Sequence, residues 1–236
     1  MNIQEIRMMH HINYYNVFKM KVIYFDTETT GLDFIENEII ELAMLIIEDG
    51  KIIEYDKFIN IGKDLPQNII DITGITDEMI ITEGISEKSV ADDLKKYLTP
   101  GTLMIAHNCQ FDLSFVYYLL KRHYPKEADE IVGALDWIDT LTVLKDRKEF
   151  PHKLIDAVRH YGIEEVNFHR AIDDTVALYK VTQAMINERD DLMEYVNVFG
   201  YNPKWGVSGP KFPFIEYKRQ YFNKKIVAPG MILPRK

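Results

Sequence analysis

The sequence of 236 residues predicts an α/β protein in which a mixed β-sheet is flanked by α-helices. An apolar run at 21–25 and strand-like runs at 39–48 and 52–60 open the chain. The last two runs are joined by Asp49-Gly50, a dipeptide typical of tight antiparallel hairpins. Strand-like runs then alternate with helical apolar spacing, which is the pattern of a sheet covered by helices.

The later elements follow from apolar spacing and from the residues that end helices. Pro100-Gly101 ends one helix, and Gly162 follows another at the position where a left-handed residue commonly ends a helix. The spacing predicts a strand over 102–106, a short strand and then a helix within 136–145, and helices over 86–98, 111–123, 153–161 and 171–187.

Composition limits the class of protein. No apolar run approaches the roughly 20 residues of a membrane span, so no membrane partner is expected. The single cysteine, Cys109, excludes an internal disulfide and a cysteine-based zinc site, and a cytoplasmic location is the default expectation. We expect a leader outside the fold over 1–19, one main domain over 20–190, and a C-terminal tail over 191–236.

The tail differs from the rest of the chain in charge. Residues 200–236 hold eight Lys or Arg and one acid, a net charge of +7, whereas the whole chain carries −9. The same stretch holds seven aromatic residues. Basic and aromatic side chains together are typical of a strap for single-stranded nucleic acid. The alternative is that the tail packs over its own acidic core, and the sequence leaves both interpretations open.

Two acids stand side by side at the end of the first predicted strand, in the sequence Asp-Thr-Glu-Thr-Thr-Gly-Leu at 26–32. Because strand side chains alternate between faces, Asp26 and Glu28 point the same way. Adjacent buried carboxylates need a compensating cation, and hard oxygen ligands suit Mg²⁺ or Mn²⁺. The alternative is an ordinary pair of acids at a strand end.

Three further residues are candidates for the same site. Asp112 lies at the start of the helix that follows strand 102–106, and Asp174 lies in the first turn of the last helix. Each has a simpler explanation, since an acid in the first turn of a helix complements its dipole. If His169 lies in the loop before the last helix, its imidazole can reach a site that Asp174 lines.

The combination of these motifs resembles the DEDDh (DnaQ-like) 3′–5′ exonucleases, a family that includes DNA polymerase III epsilon-type proofreading exonucleases. Asp-x-Glu after a strand, Asn-x-x-Phe-Asp at 108–112 and His-x-x-x-x-Asp at 169–174 occur in the family's order. Similar stretches also surround Glu41 and Asp139, which resemble family positions without a ligand role, and we expect both to be structural. The resemblance covers about Met20 to Asn187. It implies an RNase H-like fold.

The resemblance also implies a mechanism for phosphodiester hydrolysis with two divalent cations about 4 Å apart. Asp26 is expected to contact both ions, and Glu28 and Asp174 to hold the ion that carries the nucleophilic water. Asp112 is expected to act on the second ion, directly or through water. His169 has an unperturbed pKa near 6.5 and is the expected general base.

The expected substrate is the 3′ end of single-stranded or frayed DNA, with release of nucleoside 5′-monophosphates. Thr29, Leu32, Asn108 and Phe111 are the candidate substrate contacts, although Leu32 and Phe111 fit a place in the core equally well. Two alternatives stay open: an exoribonuclease like RNase T or oligoribonuclease, and a subunit that acts through association with a DNA polymerase.

Overall fold

A computed structural model describes residues 20–163, 170–221 and 232, and it confirms the predicted mixed sheet flanked by helices. Six strands form the main sheet and two form a small second sheet. The strands are β1 (Val22–Thr29), β2 (Ile39–Glu48), β3 (Lys51–Asn60), β4 (Ile85–Ser86), β5 (Leu103–Ala106), β6 (Asp136–Asp139), β7 (Val198–Tyr201) and β8 (Glu216–Arg219).

The main sheet has the order β4-β3-β2-β1-β5-β6. β2 pairs antiparallel with both β1 and β3, whereas β5 is parallel to β1 and β6. Asp49 and Gly50 form the β2–β3 turn with φ of 49° and 71°, as the hairpin prediction requires. β1 therefore lies at the centre of the sheet and continues through Asp26 and Glu28, past the predicted end of the strand at Phe25.

Eight α-helices are found in the described part of the chain, and five of them follow the predicted spacing. They are α1 (Gln67–Thr73), α2 (Asp77–Thr82), α3 (Glu87–Tyr97), α4 (Cys109–His123), α5 (Ala128–Gly133), α6 (Thr140–Arg147), α7 (Leu154–His160) and α8 (Ala171–Glu188). The sequence reasoning missed α1, α2 and α5, which have six or seven residues each and are too short to show helical periodicity. No described helix is long and apolar enough to span a bilayer.

The two faces of the sheet bury separate cores. Ile23 and Phe25 of β1 pack on the side covered by α3 and α4. Val22 and Tyr24 pack on the opposite side, where the Tyr24 ring lies 5.3 Å from the ring of Tyr179 in α8. Because side chains alternate along β1, Asp26 and Glu28 lie on the same face as Val22 and Tyr24, which is the face that α8 covers.

The C-terminal segment attaches to the main sheet through β7. The backbone N–H of Asn197 donates to Trp137 O at 2.7 Å, and Asn197 Oδ1 accepts from the Trp137 N–H at 2.9 Å. Phe212 and Ile215 are buried in the core on the α4 side of the sheet. The packing interpretation of the tail therefore holds for these side chains.

Candidate active site

Three carboxylates meet where β1 and the first turn of α8 come together. One oxygen each from Asp26, Glu28 and Asp174 lies within 4.8 Å of the others, and all three side chains are partly buried. The strand positions two of them on one face, and the packing of α8 on β1 and β2 brings the third. Oxygen ligands at this spacing can hold a divalent cation.

The acids in this cluster destabilise one another's charged forms. Burial, and then repulsion from Asp112 and Asp174, hold the pKa of Asp26 well above its usual value. Burial and repulsion from Asp174 raise the pKa of Glu28 to about 7. A bound cation is the natural partner for such a cluster, because it offsets both the repulsion and the loss of hydration.

Asp112 approaches the same strand end through Thr27 and is not one of the three carboxylates that lie within 4.8 Å of one another. It lies in the first turn of α4, buried, and its Oδ1 accepts hydrogen bonds from the Thr27 hydroxyl at 2.7 Å and the Thr27 N–H at 3.1 Å. Burial raises the pKa of Asp112 to about 7, although the Thr27 hydroxyl opposes the rise. Thr27, the residue between Asp26 and Glu28, thus ties Asp112 to the same strand end.

A buried acid on β2 fixes the start of α8. Glu41 pairs with Glu28 across β1 and β2 and is fully buried. Its Oε1 accepts from Arg170 Nε at 3.0 Å and Nη2 at 2.9 Å, and its Oε2 accepts from the Ala171 N–H at 3.1 Å. Since Arg170 is the N-cap residue of α8 and forms no side-chain cap, the carboxylate of Glu41 satisfies the helix end instead.

Asp139, at the end of β6, also accepts hydrogen bonds at the starts of helices, as Glu41 does for α8. Its Oδ1 accepts from the backbone N–H groups of Asn108 and Cys109 at 2.9 and 3.1 Å, and the same carboxylate caps α6 through Leu141 and Thr142. Because backbone N–H groups at the starts of both α4 and α6 donate to its carboxylate, Asp139 links the two helices and has a structural role.

The candidate substrate contacts differ in exposure. Leu32 is 85% exposed, so the core alternative is wrong for this residue, whereas Phe111 is half-buried with its ring 4.8 Å from that of Phe115. The Thr29 hydroxyl donates to Gly31 O at 2.6 Å. Asn108 is exposed, with a φ of 68° immediately before α4.

His169 lies in the segment 164–169, outside the described residues, so its role stays a prediction. Sequence reasoning missed two residues that support the site, Thr27 and Arg170. Strand alternation could have indicated Thr27, because a residue between two acids on a strand points to the opposite face, toward α4. No local signal pairs Arg170 with Glu41, which lies 129 residues away in sequence.

Comparison with known proteins agrees with this geometry. A family model described as exonuclease matches residues 23–182. The PolC-type DNA polymerase III of Oceanobacillus iheyensis is 33% identical over 204 residues, which are 83% of this chain and 14% of the polymerase. The enzyme of the same type from Halalkalibacterium halodurans is 34% identical over 178 residues, which are 72% of this chain and 12% of the polymerase. The chain thus spans about one seventh or less of the length of these relatives.

Solved structures support the fold. Exonuclease I of E. coli, in complex with a dA16 oligonucleotide, superposes with a TM-score of 0.65 at 18% identity, covering 75% of this chain and 43% of that one. Exonuclease I of Methylocaldum szegediense gives 0.63 at 20% identity, covering 75% and 42%. Fold and site together define an RNase H-like nuclease domain. The chain belongs to the exonuclease family, in its DnaQ-like (DEDDh) group.

Proposed function

We propose that this chain is a metal-dependent 3′–5′ exonuclease that hydrolyses phosphodiester bonds from the 3′ end of single-stranded or frayed DNA. The observation that carries the proposal is the meeting of Asp26, Glu28 and Asp174 within 4.8 Å in a chain of the exonuclease family. Exonuclease I of E. coli was solved with single-stranded oligonucleotides, which supports this substrate class by analogy of fold.

The cluster of Asp26, Glu28 and Asp174 fits one divalent cation, Mg²⁺ or Mn²⁺, and the proposed mechanism adds a second. Asp26, Glu28 and Asp174 would hold one ion, and Asp26 with Asp112 the other. Bound there, such ions would activate a water molecule and stabilise the leaving oxygen of an in-line displacement. Hard carboxylate oxygens are the appropriate donors, and a cation beside Glu28 would offset the burial and the repulsion from Asp174 that raise the pKa of this residue to about 7.

Other side chains of the protein position the carboxylates, the general base and the substrate. Thr27 fixes the rotamer of Asp112, and Glu41 with Arg170 fixes the helix start that carries Asp174. His169 accepts the proton of the attacking water in this proposal. The 3′-terminal nucleotide would contact the exposed Leu32 and the neighbouring Thr29, Asn108 and Phe111.

Association with a DNA polymerase is a second proposal, favoured by the similarity to PolC-type polymerases. In that setting the exonuclease would act on mismatched primer ends. Residues 20–190 would form the exonuclease domain, with 1–19 as a leader and 191–236 as an attached tail. An exoribonuclease activity is the third outcome that the assay below distinguishes, because telling RNA from DNA requires contacts to the 2′-hydroxyl.

The decisive experiment uses 5′-labelled single-stranded DNA, single-stranded RNA and a duplex with a mismatched 3′ end, each with Mg²⁺, Mn²⁺ or EDTA. We expect stepwise shortening from the 3′ end with either metal and none in EDTA. Asp26→Asn and Asp174→Asn should each lower the rate at least about 100-fold, because each loses a charged ligand worth several kcal/mol. Asp64→Asn, which alters an exposed acid, is the matched control. Full activity in Asp26→Asn, or cleavage in EDTA, contradicts the metal-dependent mechanism.

A further inference from the structure

The C-terminal segment exposes aromatic side chains that the core does not use. Trp205 is 75% exposed and Tyr221 is 53% exposed, although Phe212 and Ile215 from the same segment are buried. Single exposed hydrophobic residues are ordinary on a protein surface, so the feature that distinguishes these two rings is the set of cations beside them. The segment therefore presents one face to the core and a different face to solvent.

Cations are held beside these rings. Lys204 Nζ lies 4.5 Å from the centroid of the Trp205 ring. Arg219 is the register partner of Tyr201 in the β7–β8 pair, and the nearby phenol groups of Tyr201 and Tyr221 raise the pKa of its guanidinium. Neither cation forms an ion pair with a carboxylate in the described part of the chain. We call Tyr201, Lys204, Trp205, Arg219 and Tyr221 the tail platform.

The segment that carries the tail platform is anchored, through other residues, to the helix that carries Asp112. Gln110, two residues before Asp112, donates from Nε2 to Pro210 O at 2.7 Å and accepts from the Tyr217 hydroxyl at 2.9 Å. Gly209 lies so close to this helix that a Cβ there would be 2.9 Å from Ser114 Oγ. The same Cβ would be 3.4 Å from the ring of Phe34, in the loop that carries Leu32.

A cleft of about 120 Å³ lies between the start of α4 and the segment that carries the tail platform. Its lining includes Asn108, immediately before α4, together with Tyr201, Asn202, Ser208 and Lys145. A candidate substrate contact and the first residue of the tail platform therefore line the same cleft.

From these observations we propose that the tail platform binds the single DNA strand on the 5′ side of the nucleotides held in the active site. This inference rests on the proposed exonuclease function. The chain as a whole carries −9, so most of its surface repels a phosphate backbone, whereas residues 200–221 carry four Lys or Arg and one acid. Exposed rings beside cations supply base stacking and phosphate contact together, without reading sequence.

The test compares strands that are long enough to reach the platform with strands that are not. An oligothymidylate of about 20 nucleotides exceeds the roughly 4–16 nucleotides that such surfaces cover, and one of about 3 nucleotides falls short of them. Binding of the long strand is measured by fluorescence anisotropy in EDTA, and hydrolysis of both strands is measured with Mn²⁺. The variants are Trp205→Ala and Lys204→Glu.

Trp205→Ala should raise the Kd for the long strand about fivefold or more, as the loss of one stacked base predicts. It should lower the ratio of kcat/KM for the long strand to that for the short strand by a similar factor. Lys204→Glu should do the same and should weaken the salt dependence of binding, because a phosphate contact is lost. Lys51→Glu, at the hairpin end of β3, makes the same charge change away from the site and is the matched control.

Each outcome separates the two proposals. If wild type degrades both strands and the platform variants match Lys51→Glu, the platform is overturned while the exonuclease function stands. If wild type degrades neither strand but Trp205→Ala still weakens binding in EDTA, the function fails and the platform stands. If Trp205→Ala changes the oligomeric mass and leaves the Kd for the long strand unaltered, the surface is a protein contact and the platform is overturned.

Discussion

Glu41 and Arg170, 129 residues apart in sequence, form a charge-assisted pair in which two guanidinium N–H groups share one carboxylate oxygen. The pair lies behind the three-carboxylate cluster rather than in it. Because the other oxygen of Glu41 accepts from the N–H of Ala171, one buried acid on the sheet determines where α8 begins. Asp174, three residues further along, is placed by that start.

Replacing Glu41 with Gln should therefore disturb metal binding as well as stability. The amide cannot satisfy Arg170 and the Ala171 N–H equally, so the free energy of unfolding should fall by about 1–3 kcal/mol. The concentration of Mn²⁺ that gives half-maximal exonuclease rate should rise, since Asp174 loses its fixed position. Glu54→Gln, on the exposed side of β3, is the control. A lower stability with an unaltered Mn²⁺ requirement would show that Glu41 serves the fold alone.

The metal-free protein should lose stability as pH rises from about 4 to about 7. The pKa of Glu28 is raised from 4.5 to about 7 and that of Asp112 from 3.8 to about 7, so the folded protein holds more protons than the unfolded chain in this range. Stability falls with pH wherever the folded state binds more protons. In EDTA, the Tm of Glu28→Gln relative to wild type should therefore increase from about pH 4 to about pH 8.

Added Mn²⁺ should reverse this trend, because it competes with the protons of the same carboxylates. The gain in Tm on adding Mn²⁺ should be larger near pH 8 than near pH 5 and should be small in Glu28→Gln. Asp64→Asn should follow wild type throughout. An equal Tm gain at both pH values in wild type would argue against a cation at this cluster.

Thr27→Val should impair catalysis without altering the shape of the site. The change removes the hydroxyl donor to Asp112 while the Thr27 N–H remains, so the pKa of Asp112 should rise further. We expect kcat to fall about tenfold or more near neutral pH, and the deficit to shrink as pH increases. Thr27→Ser should restore the rate. Thr182→Val removes a buried hydroxyl bond in the second half of α8 and is the control for stability. A deficit that does not depend on pH would contradict this role.

His169→Ala should lower kcat/KM roughly 10²–10⁴-fold near neutral pH, the usual contribution of a general base. The acidic limb of the pH profile that reports this group should disappear. His160→Ala removes an exposed imidazole from α7 and should leave both the rate and the profile intact. A profile of wild-type shape in His169→Ala would rule out the base assignment.

The sequence predicted the parts of the molecule that follow from local patterns. Alternation placed Asp26 and Glu28 on one face, Asp49-Gly50 indicated the hairpin, and apolar spacing located the long helices. All of these depend on neighbours within one element. The family resemblance then supplied the order of the catalytic motifs, which no single motif carries.

What the sequence could not predict depends on contacts between distant residues. The Thr27–Asp112 bond crosses from the central strand to a helix 85 residues away, and the Glu41–Arg170 pair joins β2 to α8. The sequence also does not predict which aromatic residues of the tail are buried and which are exposed. Phe212 and Trp205 have similar intrinsic hydrophobicity, and only the fold decides which one is covered.

The hydrogen bonds of the Gln110 side chain to Pro210 and Tyr217 have a consequence for the order in which the site is assembled during synthesis. Both partners are synthesised after the strand and helices that carry the four acids. The start of α4 therefore gains these two hydrogen bonds only after residue 217 has left the ribosome. Assembly of this end of the site during translation thus waits for a segment that carries none of the four acids.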